Sequence, residues 1–339
     1  MQGLTHSRIQ SYNTCNRKHL FEYELAIRPE RTAAPLRMGS AVHECCDGGK
    51  IFTQHCYGEL PGAAIVERTL QHYDAKPADA NYVQQWEVER AKIAAMMYGY
   101  YWRWPAWENV IATEQSFTAP IINPKTGRQS RTFCLRGKMD GIIRLNDGRI
   151  ALLEHKTTSD DLDSDSQLWR RLRIDAQISI YYMAALDMGY KVETIIYDML
   201  RKPQYRMSLA TPLEKRKYKK DGTLYANLRD EDETPEAYYQ KCMSGITEDP
   251  AKYYIRKEVP RTADDLAEAK DDLWGHTQRI KQSQNTGHWP RNTGACLQFG
   301  RCPYFDCCTG GYDINSGIVP DGFERVDNVH QELQESNDG

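Results

Sequence analysis

The sequence predicts a mixed α/β protein in which a central sheet is flanked by helices. Three observations lead to this fold class. Apolar residues recur at helical spacing through most of the first 104 residues. Three stretches rich in β-branched and apolar residues follow between residues 110 and 157. Helical and strand patterns then alternate, which is typical of a sheet whose faces are covered by helices.

The first third of the chain is predicted to be helical. A helix is expected over residues 7–25, with Ser7 as its N-cap and apolar residues at roughly helical spacing. Gly39 is expected to open a second, short helix through the stretch SAVHECCD. Residues 62–104 are expected to be largely helical, and their aromatic and Met residues form an apolar face that belongs to the core.

Strands are predicted in the middle of the chain. Residues 110–121, 131–145 and 150–157 are expected to form a three-stranded meander, because the turn signals NPKTGR and NDG separate them. The remaining elements are expected in this order: a helix over 165–189, a strand over 192–200, a strand over 253–259 and a helix over 262–282 capped by Thr262. This order of helices and strands predicts a mixed sheet.

Composition excludes two classes of protein. The 339 residues are 40% hydrophobic and 27% charged, which is near ordinary globular usage and excludes an extended disordered chain. The longest apolar runs are far shorter than the ~20 residues of a membrane helix, so no membrane partner is expected. The first residues contain no apolar signal core, and a cytoplasmic location is therefore expected.

Charge is unevenly distributed along the chain. Residues 310–339 contain seven acidic residues and one basic residue, and they are expected to form a flexible acidic tail. Residues 201–220 contain eight basic residues and one acidic residue, with two tyrosines among them. This segment is either a solvated loop or a contact for a polyanion. It overlaps a polar insertion that is expected over 203–250.

A predicted hairpin carries three charged residues. Its loop is centred on residue 147, and opposed residues of an antiparallel hairpin have a constant index sum, here 294. Asp140 and Glu154 satisfy that sum, so their Cβ atoms are expected ~5 Å apart on one face. Lys156 lies two residues beyond Glu154 and points to the same face, whereas His155 points to the opposite one.

Two interpretations of this arrangement are open. Two partly buried carboxylates at this distance repel each other, and a divalent cation removes the repulsion. A few hard oxygen ligands suit Mg²⁺ or Mn²⁺ that also carries water and substrate phosphate oxygens. The nearby Lys156 can then orient that water or stabilise charge on phosphorus. The alternative is an exposed ladder of ion pairs on a solvent-facing strand.

The motifs, taken in order, resemble the PD-(D/E)XK nuclease superfamily and more specifically its RecB-like branch. Asp140 in GKMDGII, followed by Glu154-His155-Lys156 in ALLEHKTT, is similar to the D…E-x-K core. MGSAVHECCD resembles the early G-x-x-x-H element of the branch. DAQISIYYMAAL resembles the Q-x-x-x-Y helix that follows the catalytic strand. Glu114 lies where many members carry an acid on the first strand.

The resemblance implies a restriction-endonuclease-type core and a set of functional residues. It implies that Asp140, Glu154 and Lys156 are catalytic. The implied metal ligands are His43, Asp140, Glu154, the backbone carbonyl of His155 and, more remotely, Glu114. Contacts with DNA are implied for Gln177 and Tyr181. Further contacts with DNA, or alternatively solvated surface charges, are expected at Arg170, Arg171, Arg173, Lys217 and Lys219.

A cluster of cysteines near the end of the chain is typical of metal or cluster ligation in an intracellular protein. Four thiolates suit a [4Fe–4S] cluster and equally suit tetrahedral Zn²⁺. The sequence resembles the iron–sulfur members of the branch, namely the AddB nuclease and the CRISPR-associated exonucleases of the fourth Cas family, which favours iron–sulfur. The implied ligands, which would staple the two ends of the domain, are Cys15, Cys296, Cys302 and Cys308, with Cys307 as a substitute for Cys308.

The resemblance implies a metal-dependent DNA exonuclease acting on single-stranded or frayed ends, in recombination, repair, phage DNA metabolism or CRISPR-type processing. The alternative is a non-cleaving subunit that binds DNA ends. The sequence has no phosphate-loop motif, so a separate helicase, recombinase or CRISPR-type partner is expected. Residues 1–309 are expected to form one nuclease domain, with a helical segment at about 50–108, a catalytic core at about 109–201, the insertion at about 203–250 and the cysteine cluster at 296–308.

Overall fold

The computed structural model describes residues 1–30, 34–55, 61–73, 80–105, 109–298, 300–330 and 333. Parts of the expected helical segment (56–60, 74–79 and 106–108) and of the expected tail (331–332 and 334–339) lie outside the described residues. Within them the chain forms a six-stranded mixed sheet flanked by helices, and the predicted fold class is confirmed.

The helices surround the sheet. In the described part of the chain the α-helices are α1 (His6–Thr14), α2 (Asn16–His19), α3 (Ala34–His55), α4 (Gly62–His72), α5 (Ala80–Arg103), α6 (Gln167–Leu172), α7 (Ala176–Asp187), α8 (Pro235–Glu248), α9 (Ala263–Thr286) and α10 (Phe305–Thr309). A π-helical turn, Leu20–Glu24, directly follows α2. No helix among the described residues has both the length and the apolar character needed to cross a bilayer.

The strands form one large sheet and one small one. The strands are β1 (Gln2–Leu4), β2 (Ile27–Pro29), β3 (Val110–Ile122), β4 (Gln129–Arg144), β5 (Ile150–Thr158), β6 (Val192–Arg201), β7 (Tyr254–Glu258) and β8 (Phe323–Arg325). One edge of β4 pairs with antiparallel β3, and its other edge pairs with parallel β1 near its start and antiparallel β5 near its end. The sheet continues through parallel β6 to antiparallel β7.

The β4–β5 hairpin is set by the chemistry of its turn. Gly148 has a φ of +91°, in the left-handed region that glycine adopts without steric cost. The backbone N–H of Gly148 donates to the carbonyl of Leu145 at 2.9 Å, and the N–H of Leu145 donates to the carbonyl of Arg149 at 2.8 Å. This closed turn joins the two strands that carry the predicted acidic residues.

Both faces of the sheet are buried. Alternate residues of β4 and β5 enter two separate cores, as the two-residue period of a strand requires. Ile142 and Leu152 belong to a core formed with α1, α6, α7 and α9. The next residues along each strand, Ile143 and Leu153, belong to a core formed with α3, α4, α5 and α8. The parts of β4 and β5 around Asp140 and Glu154 therefore lie inside the protein.

Several predicted elements are confirmed, and two predictions at the N-terminal helices are wrong. The meander, β6, β7 and α9 with its Thr262 cap lie where the sequence predicts them. The N-cap of α1 is Thr5 rather than Ser7, because the Thr5 hydroxyl accepts from the backbone N–H of Arg8. Gly39 lies inside α3 and does not begin it, since buried residues at helical spacing continue through the glycine.

The second half of the expected insertion over 203–250 contains a helix that packs into the core. Residues 235–248 form α8, and its Tyr238, Cys242 and Ile246 are buried in the second core. Residues 203–234 contain a single 3-10 turn at Leu213–Lys215 and no longer element. The polar average of the segment conceals the four-residue spacing of these three apolar positions.

The expected tail over 310–339 contains one short strand among its described residues, at residues 323–325. They form β8, which pairs with β2 in a two-stranded antiparallel sheet. Phe323 packs on Tyr304 with a centroid distance of 5.5 Å, and Tyr304 stacks on Phe21 at 5.2 Å. These aromatic contacts fix a segment that its acidic composition alone would leave in solvent.

Candidate active site

The β4–β5 hairpin has the register that the sequence predicts. Its ladder pairs Gly141 with Leu153, which keeps the index sum of 294, and the ladder ends there. Asp140 and Glu154 are the next residues beyond this pair. Asp140 Oδ2 accepts a hydrogen bond of 2.8 Å from the backbone N–H of His155. The side chain of Asp140 therefore spans the gap between the two strands.

Lys156 lies on the same face as Glu154. Its Nζ atom is 3.2 Å from Glu154 Oε1 and 3.3 Å from Asp175 Oδ2, and it donates to Gln177 Oε1 at 2.9 Å. Burial lowers the pKa of Lys156, but the carboxylates of Glu154 and Asp175 outweigh burial, and the pKa lies above its usual value. Lys156 is therefore a cation held at three points.

The start of α7 holds this lysine in place. Asp175 is the N-cap of α7, and its Oδ1 atom accepts from the backbone N–H of Gln177 at 3.0 Å. Gln177 Nε2 donates to the hydroxyl of Tyr181 at 3.2 Å, one turn further along the helix. The predicted residues Gln177 and Tyr181 thus lie at the site. Asp175 was not predicted, because one helix was expected over 165–189; that expectation is wrong, since the structure has two helices and Asp175 is the N-cap of the second.

Helix α3 adds three residues from the other side of Asp140. His43 Nδ1 lies 3.4 Å from Asp140 Oδ1. Lys50 is fully buried, donates to the backbone carbonyl of Asp140, and lies 2.7 Å from Asp47 Oδ1. The sequence analysis found His43 and missed Asp47 and Lys50. Their spacing of four and seven residues from His43, which places them on one helix face, was the available signal.

Glu114 approaches the site from β3. Its Oε2 atom forms an ion pair with Lys138 of the neighbouring strand. Burial raises the pKa of Glu114, and the nearby Asp47 carboxylate raises it further, to about 7. The φ of Glu114 is +50°, a left-handed conformation that costs an L-residue roughly 1–2 kcal/mol. Strand β3 is therefore strained at Glu114, the residue that lies beside Asp47.

The two hairpin carboxyl groups differ in their protonation. Burial raises the pKa of Glu154, and the Asp140 carboxylate raises it further, to about 7. Burial also acts to raise the pKa of Asp140, but His43 and Lys50 outweigh burial and hold this pKa well below its usual range. Glu154 is only 2% exposed, and its Oε2 atom has no hydrogen-bond partner.

These observations fit a divalent cation. A buried carboxylate oxygen without a partner, next to a second carboxylate, is stabilised by an added positive charge. Carboxylate oxygens with a single imidazole form a donor set that suits Mg²⁺ or Mn²⁺. Among the described residues, no three His, Cys, Asp or Glu side chains already form a metal-binding group. The fit therefore rests on the chemistry of the donors and on the unpartnered oxygen of Glu154.

A buried network supports the strand behind the site. The side chain of His155 points away from Glu154, and its Nδ1 atom lies 3.2 Å from Asp198 Oδ2 on β6. The hydroxyl of Tyr100 donates to the same oxygen at 2.5 Å, and Arg256 Nε lies 3.3 Å from it. The sequence analysis missed these three partners, because they come from elements far apart in the chain.

A cavity of about 440 Å³ opens beside Lys156 and Gln177. His6, Gln10, Arg171 and Ile174 also line it, and Ile174 is 82% exposed. Arg171 forms an exposed ion pair with Asp160. The other predicted basic contacts are exposed, and no hydrogen bond or ion pair of the described residues links them to the hairpin: Arg170, Arg173, Lys217 and Lys219.

The predicted early and late cysteines are brought together. Cys15 Sγ accepts from the backbone N–H of Asn292 at 3.3 Å, and Asn292 Nδ2 donates to the carbonyl of Thr14 at 2.8 Å. Cys296 Sγ lies 3.6 Å from the carbonyl of Asn292. Burial raises the pKa of Cys302, and Cys15 and Cys296 are close enough to raise it further. Three of the four predicted thiols therefore share one neighbourhood.

The fourth position has two candidates in α10. Cys307 is buried against Phe21 and Tyr304, whereas Cys308 is half-buried. The carbonyl of Cys308 accepts from Arg291 at 2.6 Å. Burial raises the pKa of Cys307, and the charges of Cys308 and Cys302 add to that rise. Cys307 therefore lies within electrostatic range of Cys302, which in turn is close to Cys15 and Cys296.

The fold and the site together define a class of protein. One acid from β4, one acid and a lysine from β5, and a glutamine from the following helix bring together side chains whose chemistry suits metal-assisted hydrolysis of a phosphodiester. The family model of the PD-(D/E)XK nuclease superfamily matches residues 3–309, and the chain belongs to this superfamily. Membership makes the protein a nuclease, that is, a phosphodiester hydrolase with DNA as its substrate class and Mg²⁺ or Mn²⁺ as its typical metal.

Two solved structures are similar to the chain at low identity. A candidate exonuclease from Eubacterium rectale is 12% identical, with 93% of this chain and 90% of that chain covered and a TM-score of 0.45. The protein SSO0001 is 13% identical, with 62% and 83% covered and a TM-score of 0.27. A search of curated proteins finds no match. The assignment therefore rests on the family match and on the geometry of the site.

Proposed function

We propose that the protein is a metal-dependent DNA exonuclease of the RecB-like type that acts on single-stranded or frayed ends. One observation carries the proposal: a buried Glu154 oxygen lacks a partner, while Lys156 is held 3.2 Å from the other oxygen at the wall of a cavity. Buried polar atoms in proteins almost always have a hydrogen-bond partner, so an unpartnered carboxylate oxygen indicates a site for a bound water or ion. The unpartnered oxygen and the open cavity together favour a catalytic role.

The residues that would hold the cation come from four elements. They are His43 on α3, Asp140 on β4, Glu154 and the backbone carbonyl of His155 on β5, and Glu114 on β3 as a further carboxylate. When bound, Mg²⁺ or Mn²⁺ polarises the scissile phosphate. Binding would also favour the charged form of Glu154, whose pKa burial raises to about 7.

Lys156 acts as a fixed hydrogen-bond donor. Its raised pKa keeps it charged at neutral pH, so it donates protons in hydrogen bonds and does not accept one as a base. In this position it orients the attacking water and neutralises charge that develops on the phosphate. Gln177 and Asp175 hold the ammonium group, and Tyr181 in turn orients Gln177. Preorganisation of this kind avoids rearrangement during the reaction.

The rim of the cavity supports a single-stranded substrate. Ile174 is 82% exposed and Arg171 is exposed beside it, so an apolar contact for a base adjoins a cation for a phosphate. Base faces are accessible in single strands and frayed ends, whereas duplex stacking hides them. We further propose that a separate helicase, recombinase or CRISPR-type partner supplies such ends in the cytoplasm.

Cys15, Cys296 and Cys302, with Cys308 or Cys307, are proposed to bind a [4Fe–4S] cluster, with Zn²⁺ as the alternative. Anaerobic purification followed by iron, sulfide and zinc analysis tests this proposal. Four iron and four sulfide per chain, with broad absorbance near ~400 nm, are expected. Stoichiometric zinc in a colourless protein would show that the four thiols bind Zn²⁺ and not an iron–sulfur cluster. The absence of both iron and zinc from the purified protein would refute the cysteine site.

A digestion assay tests the nuclease. Single strands and duplexes labelled at the 5′ or the 3′ end are incubated with Mg²⁺, with Mn²⁺ or with EDTA. Asp140→Asn and Lys156→Ala should abolish metal-dependent digestion, while Asp187→Asn and Lys191→Ala, matched changes at exposed positions, should retain it. Stepwise loss of nucleotides from one end indicates an exonuclease.

Three outcomes would contradict the proposal. Undiminished digestion by a folded Asp140→Asn protein would remove the active-site assignment. Internal cleavage of circular single strands would show that the protein is an endonuclease and not an exonuclease. Binding of labelled ends without product in either metal would favour the non-cleaving, end-binding subunit.

A further inference from the structure

A second cavity, of about 580 Å³, lies between the start of β4 and helix α9. We refer to it as the β4–α9 cavity. Its lining includes Arg128, Arg131 and Phe133 from the β4 side and Trp274 and Lys281 from α9. Three of its ten lining residues are cations, and none is an acid. A concave surface with this charge attracts polyanions.

The cations of this cavity are available to a ligand. Arg128, Arg131 and Lys281 are exposed, and within the described part of the chain none of them has an ion-pair partner. The site described above is different, because its lysines are paired with carboxylates. Cations without protein partners can neutralise phosphates without first breaking an ion pair.

An aromatic side chain accompanies these cations. Trp274 is half-buried, packs against the first core and also lines the cavity. Below it, the hydroxyl of Thr277 donates to the Trp274 carbonyl at 2.7 Å. An indole fixed by core packing, with cations beside it, is the combination that binds single-stranded nucleic acid by base stacking and phosphate contact.

Helix α9 links this cavity to the catalytic one. His6 at the start of α1 lines the catalytic cavity, and Tyr12 of the same helix donates its hydroxyl to the carbonyl of Arg279 on α9 at 3.0 Å. Trp274 and Lys281 lie five and two residues from Arg279, or about 8 Å and 3 Å along the helix axis. The two cavities therefore adjoin the same pair of packed helices, and one strand can extend from the first to the second.

We propose that the β4–α9 cavity binds a single-stranded segment of the nucleic acid whose scissile phosphate lies at Lys156. Trp274 stacks on one base, and Arg131 and Lys281 contact phosphates of the same segment. This inference extends the proposed function, because it assigns a second contact to the same strand. It can also be tested without any cleavage.

The experiment measures binding of fluorescent oligothymidylates to the full chain in EDTA, so that no digestion occurs. The oligomers span about 4 to 16 nucleotides, which is the range of site sizes in single-strand-binding folds. Arg131→Ala/Lys281→Ala is compared with Lys191→Ala/Lys252→Ala, which removes two exposed lysines that line neither cavity. Trp274→Ala is compared with Trp274→Phe, which keeps an aromatic ring.

Binding of the longer oligomers should depend on the cavity. Loss of two phosphate contacts lowers the slope of log affinity against log salt by about 1.4 for a single strand. Trp274→Ala should weaken binding by about 5- to 150-fold, the effect of one stacked base, and Trp274→Phe should restore most of it. The Lys191/Lys252 variant should bind as the wild type does, as should all variants with the shortest oligomer.

The results separate this inference from the proposed function. Equal binding by all variants at every length overturns the inference and leaves the nuclease assignment standing. An equal effect of Trp274→Ala on single strands and on blunt duplexes also overturns it, because a stacked duplex offers no free base. If the wild type digests nothing, yet its binding follows the predicted pattern, the inference stands and the proposed function fails.

Discussion

Replacing Asp198 with asparagine keeps the shape of a buried side chain and removes its charge. Asp198 is fully buried, and its Oδ2 atom accepts a hydrogen bond from the Tyr100 hydroxyl. The His155 ring and the Arg256 guanidinium lie within 3.3 Å of the same atom. Burial acts to raise the pKa of Asp198, but Arg256 and His155 outweigh burial, so this pKa is lowered and the group is a carboxylate at neutral pH. All three interactions therefore involve a charged acceptor.

The size of the effect follows from these three contacts. Removing one charge of a buried ion pair costs about 3–5 kcal/mol, and the asparagine keeps a hydrogen-bond acceptor, so Asp198→Asn should destabilise the protein by about 3 kcal/mol. With an unfolding entropy of about 2.1 cal/mol/K per residue, this loss lowers Tm by about 4 °C for 339 residues. Because His155 donates its backbone N–H to Asp140, hydrolysis should also fall, by about 10- to 100-fold.

Thermal unfolding followed by circular dichroism measures the first effect, and digestion well below Tm measures the second. The matched control is Asp160→Asn, which removes an exposed ion pair with Arg171 worth at most about 1 kcal/mol. If Asp198→Asn melts within 1 °C of that control, or digests DNA at the wild-type rate, then the network does not support the hairpin and the reasoning is wrong.

Four further predictions follow from the structure. Burial lowers the pKa of His19 to about 3, below its unfolded value of 6.5, so the stabilising effect of the neutral ring is complete above pH 6.5 and is lost on acidification. The free energy of unfolding should therefore fall by roughly 2 kcal/mol between pH 7 and pH 5. This loss should be smaller in His19→Phe. Gly137→Ala would place a methyl group against the Phe117 ring and 3.1 Å from the Tyr181 ring, which contacts Phe117 edge to face. The substitution should therefore weaken DNA binding and lower stability by about 1–3 kcal/mol, measured by anisotropy and by melting. Mg²⁺ affinity, measured by calorimetry, should fall below about pH 7, where protons compete for Glu154, and pH-independent affinity would refute this role. Cys302→Ser should reduce bound iron or zinc to background in metal analysis.

The hairpin could be predicted from the sequence because its signals are local. A turn with a glycine in the left-handed region fixes the register, and the two-residue period of strands then places Glu154 and Lys156 on one face. The same locality explains the correct prediction of α9, whose capping residue Thr262 is adjacent to the helix that it caps.

Residues that reach the site through tertiary contacts could not be predicted in this way. Asp198 and Arg256 approach His155 only after β6 and β7 have joined the sheet. Lys50 was not predicted because α3 was expected to end at residue 47, whereas the helix continues to His55. In α8 and β8, a few apolar side chains hold an otherwise polar segment against the rest of the protein. The average composition of these segments concealed those side chains.

The contact between Cys15 and Asn292 has a consequence for biosynthesis. The two residues are 277 positions apart, and a ribosome adding about 5–20 residues per second needs roughly 14 to 55 s to make the intervening chain. During that interval Cys15 is outside its final surroundings, and the hydroxyl of Tyr12 lacks its acceptor, the carbonyl of Arg279. Docking of the first helix, and any metallation that needs Cys15 together with the late cysteines, must therefore wait until the segment around Asn292 has been made.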